Sequence, residues 1–176
     1  MRSFGVRSCT NLPMSAIDDA LAANSSYAAS FQLGSLPLPP AKKLAVLACM
    51  DARLDVHRIL GLEPGDAHVI RNAGGAVTDD AIRSLLISQR LLGTEEIILV
   101  HHTGCGMLTF NDDEVKSAVE QDTGVRPPFA LEAFADLEAD VRQSLRRLQK
   151  SPFVDASHAR GFVYDVSTGQ LHEVTA

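Results

Sequence analysis

The chain has 176 residues, enough for one domain with a substantial core and too few to make two the expectation. Apolar residues make up 45% and charged residues 22%, the balance of an ordinary soluble globular protein. The formal charge of −6, with its basic residues scattered, argues against a nucleic-acid groove or an anionic membrane surface, and no apolar run approaches the roughly 20 residues that cross a bilayer.

Residues 1–13 lack periodicity and contain Arg2 and Arg7 without the apolar stretch of a secretory signal. They read as a disordered or non-native leader, and 14–176 as a single domain. Ser15 is a plausible N-cap for a short helix, with Asp18 at its third position. Residues 24–40 are rich in Ser, Ala and Pro, with Pro37, Pro39 and Pro40, and read as an extended arm. Leu44–Cys49 is a continuous apolar run that suits a strand covered on both faces. A short helix is expected around Asp55–Leu60, ended by Gly61, and a second strand over Ala67–Arg71. Asn72 to Gly75 form a tight loop. Thr78 caps a helix with Asp79 and Asp80 in its first turn, which suits the helix dipole, and Gly93 ends it. Glu96–His101 is the third strand. Residues 112–121 are polar, with weak helical signals. Phe134, Leu137, Val141, Leu145 and Leu148 recur at three- and four-residue steps and predict an amphipathic helix. Gly161–Val166 is the fourth strand, and Thr168-Gly169 turns the chain into an edge strand over Leu171–Val174. The alternation implies an α/β fold with a mainly parallel four-stranded sheet, an added C-terminal edge strand and flanking helices.

Ligands bind such sheets beyond the carboxyl ends of the strands. Two of those ends carry chemistry. Cys49, Asp51 and Arg53 stand at alternate positions after the first strand, and His101-His102-Thr103-Gly104-Cys105-Gly106 follows the third. Cysteine sulfur, histidine nitrogen and carboxylate oxygen are the donors that zinc takes in a tetrahedron. His102 and Cys105 can be aimed by one glycine-bounded turn, Cys49 reaches in from the neighbouring strand, and the fourth place goes to Asp51 or water. The bland alternative is two buried cysteines and a hydrogen-bonded histidine with no metal. The three cysteines, with Cys9 an incidental thiol, do not make a disulfide framework and fit a reducing cytoplasm. His101 should point away from His102 and pack in the core. Arg71 and Asn72 are expected to tie the second strand to the site loops.

Cys-x-Asp-x-Arg, then Arg-Asn-Ala-Gly, then His-Thr-x-Cys-Gly, in this order and spacing, resemble the β-class carbonic anhydrases. The resemblance is strongest over Ala41 to Met107. It implies a mainly parallel sheet, a homodimer or higher assembly, one zinc per subunit and hydration of carbon dioxide to bicarbonate. It also implies Cys49, His102 and Cys105 as zinc ligands. Asp51 is then either the fourth ligand in a closed state or the partner of Arg53 in an open state, which rising pH favours. A zinc held by two thiolates acidifies its water less than one held by three histidines, so Asp51, paired with Arg53, is needed to orient the nucleophile. Ala73, Gly74 and Gly75 could border a narrow apolar cleft for carbon dioxide, or could serve only the steric needs of a turn. Gly104 stands where many relatives carry a polar or acidic residue, which puts any side-chain role there in doubt. The same site could hydrolyse carbonyl sulfide or carbon disulfide. A non-catalytic zinc-binding module is the remaining alternative, and it has no need of Asp51 and Arg53.

Overall fold

The computed structural model describes residues 15–175, so the leader 1–13 and Cys9 lie outside the described residues. The chain divides into two units, one reaching to Leu36 and the other running from Pro37.

In the first unit, helix α1 covers Ala16–Ala29 and buries none of its residues. Ser15 caps it as the sequence suggests. Its hydroxyl accepts from Asp18 N at 3.2 Å while Asp18 Oδ2 accepts from Ser15 N at 3.1 Å, a reciprocal capping box. The helix runs further than expected, so residues 24–29 are helical and not part of an extended arm. The physical reason is the alanine content, and the helix accommodates Ser25 and Ser26 by letting their hydroxyls donate back to the carbonyls of Leu21 and Ala22.

The second unit is built on a five-stranded sheet in the order β2-β1-β3-β4-β5. The strands are β1 (Leu44–Cys49), β2 (Ala67–Asn72), β3 (Glu96–His102), β4 (Ala159–Tyr164) and β5 (Leu171–Val174). The first four run parallel and β5 pairs antiparallel with β4, as the alternation of elements implied. All six residues of β1 are buried, which explains its unbroken apolar run.

Helices α3 (Asp79–Leu92) and α5 (Leu137–Lys150) contribute to one core with Ala45, Leu47, Ile97 and Leu99. The other core gathers Leu44, Val46, Ala48, Cys49, Val100, Cys105 and Met107, with Val56 from α2 (Val56–Leu60). Helix α3 starts at its Thr78 cap and ends at left-handed Gly93, as read from the sequence.

Other boundaries also depart from expectation, and β2 and β3 each run one residue further, to Asn72 and His102. Helix α4 (Asp112–Thr123) is a full helix although none of its residues is buried; the Asn111 cap and three first-turn acids stabilise it where an apolar stripe does not. Phe134 precedes α5, because Asp136 caps the helix and accepts from Ala139 N at 2.8 Å. Strand β4 begins and ends two residues early, since its register is set by β3, with Ile97 opposite Ala159 and His102 opposite Tyr164. No helix among the described residues is long and apolar enough to cross a membrane.

Helix α5 rests on β4 at Gly161, where a Cβ would lie 2.5 Å from Val141 Cγ1 and 3.1 Å from Leu145 Cδ1. Gly161→Ala should therefore overpack this contact and lower stability by about 1–3 kcal/mol. Denaturant unfolding measures this, and an unchanged midpoint would show that α5 shifts freely.

Candidate metal centre

The register of the parallel sheet builds the site. Strand β1 lies between β2 and β3, with Ala48 opposite both Arg71 and Val100, so the chain leaving β1 emerges beside the end of β3. The donor atoms of Cys49, His102 and Cys105 all fall within 4.8 Å of one another, and the three residues are buried. The two sulfurs are 3.9 Å apart as free thiols.

His102 is oriented by its own loop. Its Nδ1 lies 3.0 Å from Thr103 O, so this nitrogen carries the proton and donates. Nε2 is then left with its lone pair, buried and without a hydrogen-bond partner. An unpaired nitrogen beside two sulfurs is the environment that a metal ion would satisfy.

Backbone N–H groups converge on the sulfurs. Burial pushes the Cys49 thiol up, but the His102 side chain and the N–H groups of Asp51 and Gly74 outweigh it and bring the pKa down to about 7. Cys105 goes the other way, to about 11, through burial and the neighbouring Cys49, against one N–H from Met107. Burial also disfavours the charged form of His102, yet the Cys49 sulfur beside it carries the net shift upward.

Asp51 and Arg53 lie beyond β1 in a turn. Asp51 Oδ1 accepts from Arg53 N and Nε, each at 2.9 Å, and Oδ2 accepts from Arg53 Nη2 at 2.7 Å. The first is an Asx turn and the other two make the bidentate pair that the spacing suggested. Arg53 holds the Asp51 carboxyl well below the usual carboxylate range, so Asp51 stays ionised around neutrality. Asp51 Oδ2 is 3.7 Å from His102 Nε2, which places the carboxylate at the edge of the cluster while it remains paired with Arg53.

The residues Ala73–Gly75 form a short 3-10 turn in which Gly74 and Gly75 have φ of +78° and +72°. A Cβ on Gly75 would stand 2.9 Å from Cys49 N and 3.1 Å from Val100 O. Only glycine allows this backbone to close on the ends of β1 and β3. Arg71 and Asn72 do tie β2 to the loops: Arg71 bonds to the carbonyls of the first motif, and Asn72 O accepts from Met50 N at 2.8 Å.

Some contacts were not anticipated. His101 turns to α5, fully buried, with Nε2 2.7 Å from Asp140 Oδ2. Sequence parity predicted its direction but nothing marked Asp140 as its partner. Arg53 Nη2 also donates to Gly104 O at 3.0 Å, joining the two motifs. The signal there was the glycine itself, which is left-handed at φ +62°.

The family model described as carbonic anhydrase matches residues 44–126. Over 163 residues the chain is 61% identical to a protein named β-carbonic anhydrase 1 from Mycobacterium tuberculosis, covering 92% of this chain and 99% of the relative. The chain belongs to the β-carbonic anhydrase family. The crystal structure of a carbonic anhydrase from Streptococcus mutans superposes with a TM-score of 0.87 at 42% identity, over 93% of this chain and all of that one. A carbon disulfide hydrolase from Acidithiobacillus thiooxidans is also similar, at 34% identity over 76% of this chain and 78% of its own length. β-Carbonic anhydrases are metalloenzymes, and the Cys49, His102 and Cys105 cluster of this member could hold a metal ion.

In the metal-free protein carrying Cys9→Ser, ultraviolet thiolate absorbance should rise in two steps with pH. The Cys49 step is centred near pH 7 and the Cys105 step near 11. Cys49→Ser should abolish the lower step. A single step at the pH of an ordinary thiol would show that the convergent N–H groups do not favour the Cys49 thiolate.

Proposed function

We propose that this chain is a zinc enzyme that reversibly hydrates carbon dioxide to bicarbonate and a proton. The observation that carries the reading is the ionised Asp51, held by Arg53 at the rim of the Cys49, His102 and Cys105 cluster. A purely structural metal site does not need such a pair.

Two sulfurs and one imidazole nitrogen suit zinc. Zinc bound there would act as a Lewis acid that makes water nucleophilic near neutral pH. The chain's own residues supply the rest. We assign Cys49, His102 and Cys105 as the ligands. The Asp51 carboxylate accepts a hydrogen bond from the nucleophile and turns its lone pair to the substrate carbon. Arg53 keeps that carboxylate ionised and paired with its own guanidinium, where it would not compete with water for a bound metal. Acidification around neutrality therefore does not act by protonating Asp51, whose pKa is held low. Carbon dioxide is small and apolar, and we assign Ala73, Gly74 and Gly75 to the border of its cleft.

Carbonyl sulfide and carbon disulfide are linear molecules open to the same attack, and several relatives are named for the second of them. The identity of 61% to a β-carbonic anhydrase over nearly the whole chain, against 34% over 76% of it to the Acidithiobacillus thiooxidans hydrolase, favours carbon dioxide.

Stopped-flow assays should show carbon dioxide hydration that increases with pH and slower turnover of the two sulfur gases. Turnover confined to the sulfur gases would replace the reading. The protein should purify with nearly one zinc per chain, and Cys105→Ser should lose most of it. Arg53→Ala should keep zinc and lose activity by about 10²-fold even at alkaline pH, because Asp51 loses its partner. A wild-type rate profile in that variant would remove the pair from the mechanism.

We also propose a cytoplasmic homodimer or higher homo-oligomer. Exposed apolar residues in each unit support it: Ile17 and Leu21 are 72% and 62% exposed in the first, and Leu91 is 71% exposed in the second. Light scattering at micromolar concentration should give at least twice the chain mass, and a stable, active monomer would refute the assembly.

A further inference from the structure

Arg71 stands near the end of β2, opposite Ala48 of β1, and reaches across to the turn that leaves β1. Its Nε and Nη2 donate to Cys49 O at 3.0 and 2.8 Å, and Nη2 donates again to Asp51 O at 2.6 Å. One planar guanidinium thus fixes two carbonyls that are two residues apart. Those carbonyls belong to the residues whose side chains matter most: the Cys49 sulfur in the cluster and the Asp51 carboxylate at its rim. These bonds go to backbone oxygen, so Arg71 acts on the site through the turn.

The same turn decides where the Asp51 carboxylate points. Its Asx bond to Arg53 N needs the Asp51 peptide in one orientation, and Asp51 O also accepts from Leu54 N at 3.1 Å. With Arg71 in place, Asp51 O is held toward β2 while the carboxylate faces Arg53. Without Arg71 that carbonyl would keep only the Leu54 N bond, and the turn could rotate and carry Oδ2 across the 3.7 Å that separates it from His102 Nε2.

We propose that Arg71 is a positioning residue whose guanidinium clamps the Cys49 and Asp51 carbonyls and thereby keeps the Asp51 carboxylate on Arg53, away from the metal cluster. The inference rests on the zinc reading above. Arginine suits the task because its fork presents several fixed donors, whereas lysine offers a single mobile charge.

The test uses Arg71→Met and Arg71→Lys in the zinc-loaded protein and in the same proteins loaded with cobalt(II). Arg71→Met should retain its zinc and lose kcat by about tenfold or more, the scale expected of a misplaced group, while KM moves little. Arg71→Lys should fall between it and the wild type, and it decides the matter if the methionine variant does not fold. The visible spectrum of the cobalt protein reports which group completes the ligand set, independently of turnover. At alkaline pH it should change in both Arg71 variants, and the change should vanish in an Asp51→Ala background. Wild-type kcat and spectra in the Arg71 variants would overturn the proposal. So would activity loss that merely follows zinc loss, or a spectral change that persists without Asp51. A wild-type protein that fails to hydrate carbon dioxide would sink the proposed activity alone, because the cobalt spectra would still decide the role of Arg71.

Discussion

Two thiols and an imidazole nitrogen without a partner are buried together, and the surrounding structure is organised by what that cluster requires. A polar atom out of water is costly unless something satisfies it. His102 Nε2 is such an atom, and the sulfurs of Cys49 and Cys105 are its neighbours. The parallel pairing of β1 with β3 brings the two motifs side by side. Gly75 then lets a third backbone segment approach within van der Waals distance of both strand ends. A side chain at that position would press on Cys49 N and Val100 O, so the packing of the sheet and the approach to the Cys49, His102 and Cys105 cluster both call for glycine in one place.

Asp51, the acid at the rim of the cluster, has a cation of its own. Asp51 answers to Arg53, and the Arg53 guanidinium also bonds to the Gly104 carbonyl on the second motif. The pair is partly exposed, with side-chain exposures of 52% for Arg53 and 19% for Asp51, so solvent screens its contribution to stability. Its weight is therefore geometric. It sets the direction of a carboxylate more than it holds the fold together.

The sheet was legible in the sequence because β1 and β3 carry apolar runs and the strands are bounded by turn residues, and the site because its donors fall at strand ends. Leu44–Cys49 and Leu171–Val174 were read with the boundaries the structure has. What was obscured has local causes. The Ser- and Ala-rich stretch from residue 24 looks like a linker by composition, yet its alanines favour helix and its serine hydroxyls fold back onto helix carbonyls, so it stays helical to Ala29. Helix α4 has no buried face, so its periodicity is weak and only its cap speaks for it. Phe134 keeps step with the α5 stripe but precedes the Asp136 cap; its ring lies 5.7 Å from that of His101. The bonds of His101 to Asp140 and of Arg53 to Gly104 join residues remote in sequence, and no spacing rule discloses them.

Gly104 shows why a motif can lose a side chain and keep its function. The departure from the usual polar residue there would matter if a side-chain donor or acceptor were needed. The group in use at this position is the carbonyl, which accepts from Arg53 at 3.0 Å. Its backbone is left-handed at φ +62°, a conformation that glycine adopts without the penalty borne by other residues. A Cβ there would sit 3.8 Å from Arg53 Nη1, in ordinary contact, so space does not forbid a larger residue; backbone conformation is what favours glycine. Much of the site is held in this way, by peptide groups. Backbone N–H groups of Asp51, Gly74 and Met107 meet the two sulfurs, Thr103 O orients His102, and the carbonyls of Cys49 and Asp51 engage Arg71. Peptide groups are placed by the fold, so the geometry of this centre depends on the register of β1, β2 and β3 more than on the side chains between its donors.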